Sequence, residues 1–149
     1  MKRLGPWLLV VLWASLMFTF STDSFSQEHT ARAILPVLQW LLPHASAETL
    51  DLLHEFIRKC AHVFEYSVLS VLLFRAVRAP AQGWNVRWAA TSLFLATVFA
   101  TSDEFHQTFV PSRGPSVWDA LLDTAAAAAV QLILWQWLRR TSPVQSDGQ

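Results

Sequence analysis

The chain alternates long apolar stretches with short polar ones, and the apolar stretches approach the length of a membrane-spanning helix. Four stretches are candidate spans: Leu4 to Phe20, Cys60 to Val77, Trp84 to Ser102 and Val117 to Leu138. A hydrocarbon core about 30 Å thick needs about 20 helical residues, because each residue of an α-helix rises about 1.5 Å. The pattern therefore predicts an all-α polytopic membrane protein with four transmembrane helices.

The ends of the first and last spans carry additional signals. No small-x-small cleavage pattern follows Phe20, so the first span is interpreted as a retained signal anchor. The last span carries Asp119 and Asp123 in its first turns, and the alanines 125–129 that follow suit close packing against another helix. We assign residues 1–140 to one transmembrane domain and expect the tail, residues 141–149, to be disordered.

The connection between the first two spans, residues 21–59, is the longest one. It contains an apolar segment, Ile34 to Leu42, that is too short to cross a membrane. An interfacial or re-entrant segment and a hydrophobic cap packed on the bundle are both consistent with it. Ser46 and Glu48 then supply the residue types of a helix start, which predicts a helix leading into the second span.

Composition and charge exclude several classes of protein. More than half of the residues are hydrophobic, and Lys plus Arg equals Asp plus Glu at 11 each, so the basic excess typical of a nucleic-acid partner is absent. The single cysteine, Cys60, excludes an intramolecular disulfide and is too little for a cysteine metal site. We therefore predict a lipid bilayer as the main partner, no nucleic acid and no cofactor.

The distribution of basic residues predicts the orientation. With the N-terminus inside, the inner side collects more Lys and Arg than the outer side; the inner residues are Lys2, Arg3, Arg75, Arg78, Arg87, Arg139 and Arg140. Because positively charged flanks remain on the cytoplasmic side, we predict an inner-membrane protein with both termini in the cytoplasm.

Ionisable residues gather where the second span begins. On a helix, Arg58, His62 and Glu65 fall at i, i+4 and i+7, and Lys59, His62 and Tyr66 form a neighbouring row. One face of this helix is therefore polar. Charged residues in a membrane segment are costly unless they face protein, water or a ligand, so such a face is a candidate functional site.

Two more polar groups accompany the third and fourth spans. Asp103 lies three residues before His106 and four before Gln107, and Asp119 lies four before Asp123, so each set converges if its helix persists. The orientation above places both groups and the polar face of the second span on the same, outer side. We predict that the three groups form one cluster.

Several chemistries are open to such a cluster. Its His and carboxylate residues have the donor types and helical spacings of a divalent-metal site. A histidine paired with a carboxylate could also perform acid–base catalysis, while Lys59 and Arg113 bind a phosphate or carboxylate of a lipid or wall precursor. The cluster could instead recognise a ligand without catalysis, or form a structural ionic network that orients the helices. Nucleophilic-hydrolase, phosphate-loop and dinucleotide signatures are absent from the sequence.

The same residues carry a resemblance to a known family. The patterns are Lys59-x-x-His62-x-x-Glu65-Tyr66-x-x-Leu69, Ser102-Asp103-Glu104-x-His106-Gln107-x-Phe109-Val110-Pro111-x-Arg113 and Asp119-x-x-x-Asp123. Over about residues 4–138 the chain resembles the VanZ-like family; Ser112 departs from the glycine usual in that family. The resemblance implies a small polytopic membrane protein of the cell envelope, whose name-giving relative is associated with glycopeptide antibiotic resistance, and it implies no established reaction.

Together these observations predict a membrane protein whose outer polar cluster binds a polar or anionic group. A lipid head group, a lipid-linked wall precursor and an amphiphilic antibiotic such as a glycopeptide are the candidate ligands. A membrane enzyme acting on a lipid and a purely structural network are the competing interpretations. The predicted cluster consists of Lys59, His62, Glu65, Tyr66, Asp103, Glu104, His106, Gln107, Arg113, Asp119 and Asp123.

Overall fold

The computed structural model describes residues 4–110 and 116–141, and within these ranges it is all-helical. Its elements are α1 (Leu4–Phe20), a 3₁₀ turn (Asp23–Phe25), α2 (Gln27–Leu41), α3 (Ala47–Arg78), α4 (Val86–Gln107) and α5 (Val117–Thr141). The predicted all-α class is therefore confirmed, and α1 has the predicted bounds. The predicted tail lies outside the described residues, apart from its first residue at the end of α5.

Fewer helices than predicted meet the length and hydropathy expected of a membrane span. Among the described residues, α3 and α5 qualify. Helix α1 and the segment Asp23–Leu41 are bent by 72° relative to each other, and they would count as a third span if together they cross the membrane once. Alone, α1 has only 17 residues. Helix α4 carries Arg87 near its start and Asp103 and Glu104 near its end, which shorten its apolar stretch. The coarser prediction, an all-helical protein with membrane-like helices, is confirmed, and the count of four spans is not.

Helix α3 is longer than the predicted second span. Its 32 residues would extend about 48 Å, which exceeds a hydrocarbon core of about 30 Å, so part of the helix must project from it. The predicted helix start is confirmed, since the Ser46 hydroxyl accepts a hydrogen bond from the Thr49 N–H at 3.2 Å. The predicted second span is therefore the C-terminal part of a helix that begins at Ala47.

Helix α2 contains the predicted interfacial segment. Its N-terminal half is joined to the N-terminal part of α3: the Thr30 hydroxyl lies 3.1 Å from His54 Nε2, and Arg58 donates to Thr30 Oγ1 at 3.1 Å and to the Phe25 carbonyl at 3.2 Å. Its C-terminal half exposes a large apolar side chain, Trp40, which is 79% accessible. This arrangement suits a helix that lies at the membrane surface.

Helix α3 is the centre of the bundle, because it contacts α1, α2, α4 and α5, while α4 and α5 also pack on each other. Small residues fill these contacts: Ala96 and Ala100 of α4 and Ala127 of α5 are completely buried, and Ala126 is nearly so. Small side chains let helix backbones approach closely. The predicted packing role of the alanine run is confirmed at these two positions of α5.

Two polar anchors fix how the helices are rotated in the apolar part of the bundle. The Ser70 hydroxyl donates to the Ala127 carbonyl at 2.9 Å and accepts from the Gln131 side-chain amide at 2.7 Å, which joins α3 to α5. The Trp13 indole N–H donates to the Glu65 backbone carbonyl at 3.0 Å, which joins α1 to α3. Each of these bonds can form only when the two helices that it joins have a particular rotation about their axes and a particular shift along them. Together the bonds therefore fix how the site residues of these helices are aligned.

The end of the bundle where α3 and α5 finish is basic and aromatic. The Arg139 guanidinium lies 4.7 Å from the Trp135 ring centroid, and the Trp84 and Trp135 rings pack at 6.3 Å. Arg78 donates to the Gly83 carbonyl at 3.1 Å and closes the turn that leads to α4. The predicted polar cluster lies at the opposite end.

Candidate functional site

The predicted cluster lies where α1 and α4 end, α5 begins and α3 passes through. A cleft of about 130 Å³, hereafter the polar cleft, opens there between α3, α4 and α5. Its lining contains residues predicted from all three polar groups: Lys59, His62, Glu104, Gln107, Asp119 and Asp123. The structure therefore brings the three groups together in one place, as the sequence predicted.

An ion pair between α3 and α5 forms the inner wall of the polar cleft. His62 Nδ1 lies 3.6 Å from Asp123 Oδ2, which is close enough for charge pairing but too long for a good hydrogen bond. Asp123 is only 1% exposed, and the His62 side chain is 24% exposed. His62 therefore reaches water or a ligand, while its carboxylate partner is enclosed by the protein.

The outer rim of the cleft carries a second, weaker ion pair. Lys59 Nζ lies 3.1 Å from Glu55 Oε1 one helical turn away, and both side chains are about half exposed. Exposed pairs of this kind contribute little to stability, because water solvates both partners when they separate. Lys59 can therefore exchange Glu55 for an anionic group of a ligand at small energetic cost.

The C-terminal turn of α4, beyond its apolar stretch, is tied to its neighbours by polar side chains. The Gln107 amide donates to Asp103 Oδ2 at 3.0 Å and to the Ser21 hydroxyl, at the end of α1, at 3.4 Å. Glu104 accepts from the Ser116 N–H at 2.7 Å, just before α5. Burial raises the pKa of the Glu104 carboxyl above its usual range, and this hydrogen bond offsets part of the shift.

A second cavity, hereafter the apolar cavity, lies on the other side of His62 between α1, α3 and α4. Its volume is about 230 Å³ and its walls are mostly apolar, with Met17, Phe20 and Phe25 among them. The predicted residues Glu65, Tyr66 and Asp103 line it. It shares Arg58 and His62 with the polar cleft, so the two cavities are neighbours.

Four buried polar atoms along these two cavities have no hydrogen-bond partner within the part of the chain that the structure describes. They are His62 Nδ1, Tyr66 Oη, Asp103 Oδ1 and Asp123 Oδ1. Buried polar groups in folded proteins are nearly always hydrogen-bonded, because losing water without a replacement costs about 1–3 kcal/mol per group. Such a concentration at one place indicates that water or a ligand completes the site.

The remaining predicted residues are placed differently. The His106 ring packs against Phe18, with centroids 4.5 Å apart, and it lines neither cavity. Arg113 lies outside the described residues. The predicted cluster omitted Gln27, Glu55 and Arg58, which line the polar cleft. Arg58 was detectable from its place in the polar row of α3, whereas Gln27 belongs to a distant segment and gave no signal.

The metal-site hypothesis finds no support in this geometry. In residues 4–110 and 116–141, no three His, Cys, Asp or Glu side chains are close enough together to hold a metal ion. His62 and Asp123 form a pair of possible donors, with His62 Nδ1 3.6 Å from Asp123 Oδ2. What the arrangement offers is a polar recess with charged walls that adjoins an apolar one.

Comparison with known protein families identifies the chain's family. A family model described as VanZ/LLP1 matches residues 6–139, nearly the whole chain. No curated protein and no solved structure matches the chain.

Proposed function

We propose that this chain, which belongs to the VanZ/LLP1 family, binds the polar head of an amphiphilic molecule at the polar cleft. The observation that carries the proposal is the adjacency of two unlike cavities. One is lined by charged and amide side chains, the other is mostly apolar, and His62 and Arg58 border both. A molecule with a polar head and a hydrocarbon part would satisfy both at once.

Three classes of amphiphile fit this description: a phospholipid head group, a lipid-linked wall precursor and a glycopeptide or other amphiphilic antibiotic. Lys59 offers a cationic donor to a phosphate or carboxylate, and Gln107 and His62 offer further hydrogen-bonding groups. The resemblance to the VanZ-like family gives the antibiotic and the wall precursor their weight. A role in glycopeptide resistance at the cell envelope is therefore part of the proposal.

The proposed setting is the inner membrane, with four spans and both termini in the cytoplasm. In this arrangement α4 crosses the membrane beside the two most apolar long helices, α3 and α5, against which it packs. The basic, aromatic end of the bundle then faces the cytoplasm. The polar cleft and the apolar cavity lie at the outer surface, where head groups of the outer leaflet are within reach.

The test compares two charge-removing variants that differ only in location. Lys59→Gln changes the rim of the polar cleft, and Arg32→Gln removes an exposed charge from α2, away from the lining of both cavities. Both variants should insert and fold. Lys59→Gln should bind phospholipid weakly in titrations of the purified protein and should lose any glycopeptide protection in cells, and Arg32→Gln should behave as wild type.

The cleft variants also define the result that would contradict the proposal. If Lys59→Gln and His62→Gln both remain folded, bind phospholipid, wall precursor and glycopeptide as wild type does, and protect cells equally, the polar cleft is not a binding site. The cluster would then serve only to hold the helices together.

The His62–Asp123 pair supports a second candidate function, catalysis on the bound amphiphile. A buried carboxylate beside an imidazole is the arrangement that orients a histidine as a general base, and His62 reaches both cavities. A time course of lipid composition in proteoliposomes tests it. Conversion of lipid by wild type but not by His62→Gln would favour the enzyme, and binding without conversion would favour recognition alone.

A further inference from the structure

The two cavities carry an excess of negative charge. Among the described residues, the carboxylates of Asp103, Glu104, Asp119 and Asp123 outnumber the basic side chains of Arg58 and His62 in the lining, and Lys59 is paired with Glu55. The excess persists with His62 counted as charged. Uncompensated buried charge is costly in a membrane protein, so a cationic group in the site would stabilise it.

The unpartnered atoms specify the chemistry of that group further. Two of them are carboxylate oxygens, Asp103 Oδ1 and Asp123 Oδ1, and their residues are 9% and 1% exposed. Carboxylate oxygens accept hydrogen bonds, so what they lack is a donor. A cation that carries N–H donors would supply charge and hydrogen bonds together, and charge-assisted hydrogen bonds are the stronger kind.

Different occupants meet only part of this requirement. Water supplies donors but no compensating charge. A divalent metal ion needs several protein donors at one point, and within the described ranges no three converge. A purely anionic head group would add negative charge beside the carboxylates.

We propose that the head group bound here carries a primary ammonium group, which makes the ligand a zwitterionic or cationic amphiphile. The inference rests on the function proposed above and names the class of ligand. The ammonium group binds beside His62, which borders both the apolar cavity lined by Asp103 and the polar cleft lined by Asp123. The phosphate of a phosphoethanolamine head reaches Lys59, whose pairing with Glu55 is weak, and the hydrocarbon part occupies the apolar cavity near Phe20.

The experiment compares three lipids that differ in the head group alone. Purified full-length protein in detergent is titrated with dilauroyl phosphatidylethanolamine, phosphatidylcholine or phosphatidylglycerol, and native mass spectrometry counts the lipids retained. Phosphatidylcholine is the matched control because its quaternary ammonium group keeps the charge and lacks the N–H donors. Because it cannot form the charge-assisted hydrogen bonds, phosphatidylcholine should bind about tenfold or more weakly than phosphatidylethanolamine.

Variants locate the preference within the site. Asp103→Asn keeps the size of the side chain and removes its charge, so the preference for phosphatidylethanolamine should fall several-fold. Asp51→Asn makes the same change at an exposed position of α3 outside both cavities and should leave the preference intact. Asp103 is not part of the His62–Asp123 ion pair, and Tyr66→Phe gives an independent check by deleting one unpartnered hydroxyl. If Asp103→Asn and Tyr66→Phe both keep the full preference, the assignment to this site is wrong.

Competition with free ethanolamine tests whether the site recognises the amine alone or the whole lipid. Displacement of bound phosphatidylethanolamine by millimolar ethanolamine would show that the amine alone is recognised, and retention would show that the hydrocarbon part is also required; both agree with the proposal. Equal retention of phosphatidylcholine, or preference for phosphatidylglycerol, would overturn the ammonium assignment while leaving an amphiphile site. Retention of none of these lipids, and of no wall precursor or glycopeptide, would overturn the proposed function itself.

Discussion

Replacing Asp123 by Asn tests whether the inner ion pair holds the bundle together. The substitution keeps the shape of the side chain and removes its charge, so His62 loses its partner 3.6 Å away across α3 and α5. Breaking a fully buried pair costs about 3–5 kcal/mol. Here the loss should be smaller, about 1–3 kcal/mol, because the His62 side chain is 24% exposed and water can solvate it in part.

The measurement is reversible unfolding of the purified protein in mixed micelles, titrated with sodium dodecyl sulfate and followed by tryptophan fluorescence. Asp119→Asn is the matched control, because it makes the same change one turn earlier on α5, where the side chain is half-buried and forms no ion pair with His62. It should change the free energy of unfolding by less than about 0.5 kcal/mol. Lipid binding is measured on the same samples, so that stability and function are compared directly.

A double-mutant cycle with His62→Gln decides whether the pair itself is responsible. If the two side chains stabilise the fold through each other, their coupling energy should be about 1 kcal/mol or more. Coupling below about 0.3 kcal/mol, or an Asp123→Asn variant as stable as wild type, would refute the reasoning. Asp123 would then be buried without contributing to stability, which would leave ligand binding as the reason for its presence.

Two further predictions concern topology and helix packing. The topology is tested in a Cys60→Ala background, which removes the only native cysteine. His44→Cys should react with a membrane-impermeant thiol reagent added outside intact cells and Gln82→Cys should not, because these exposed positions lie at opposite ends of α3. The reverse pattern would contradict the proposed orientation. Ser70→Ala should destabilise the protein by about 1 kcal/mol, because it removes two interhelical hydrogen bonds of about 0.6 kcal/mol each, and the loss should shrink in a Gln131→Leu background. Equal losses in both backgrounds would show that the Ser70–Gln131 bond contributes nothing.

Local features of the chain could be read directly from the sequence. The bounds of α1, the helix start at Ser46 and the pairing of Asp103 with Gln107 follow from apolar length, capping chemistry and i, i+4 spacing. Each of these depends on residues within one or two helical turns. The count of four spans is not confirmed for a related reason: α4 has the length of a span, but the charges at its ends leave it less apolar than α3 and α5.

The sequence by itself determined that α3, α4 and α5 each carry a polar group, and it predicted that these groups share one side of the membrane. Only the tertiary structure decided which side chains meet. It pairs His62 with Asp123, turns His106 against Phe18 and brings Gln27 of α2 to the polar cleft. Such contacts depend on the rotation and depth of one helix relative to another. These are set by buried alanines and by the Ser70 bonds, which belong to other positions of the same helices, and spacing within a single helix carries no information about them.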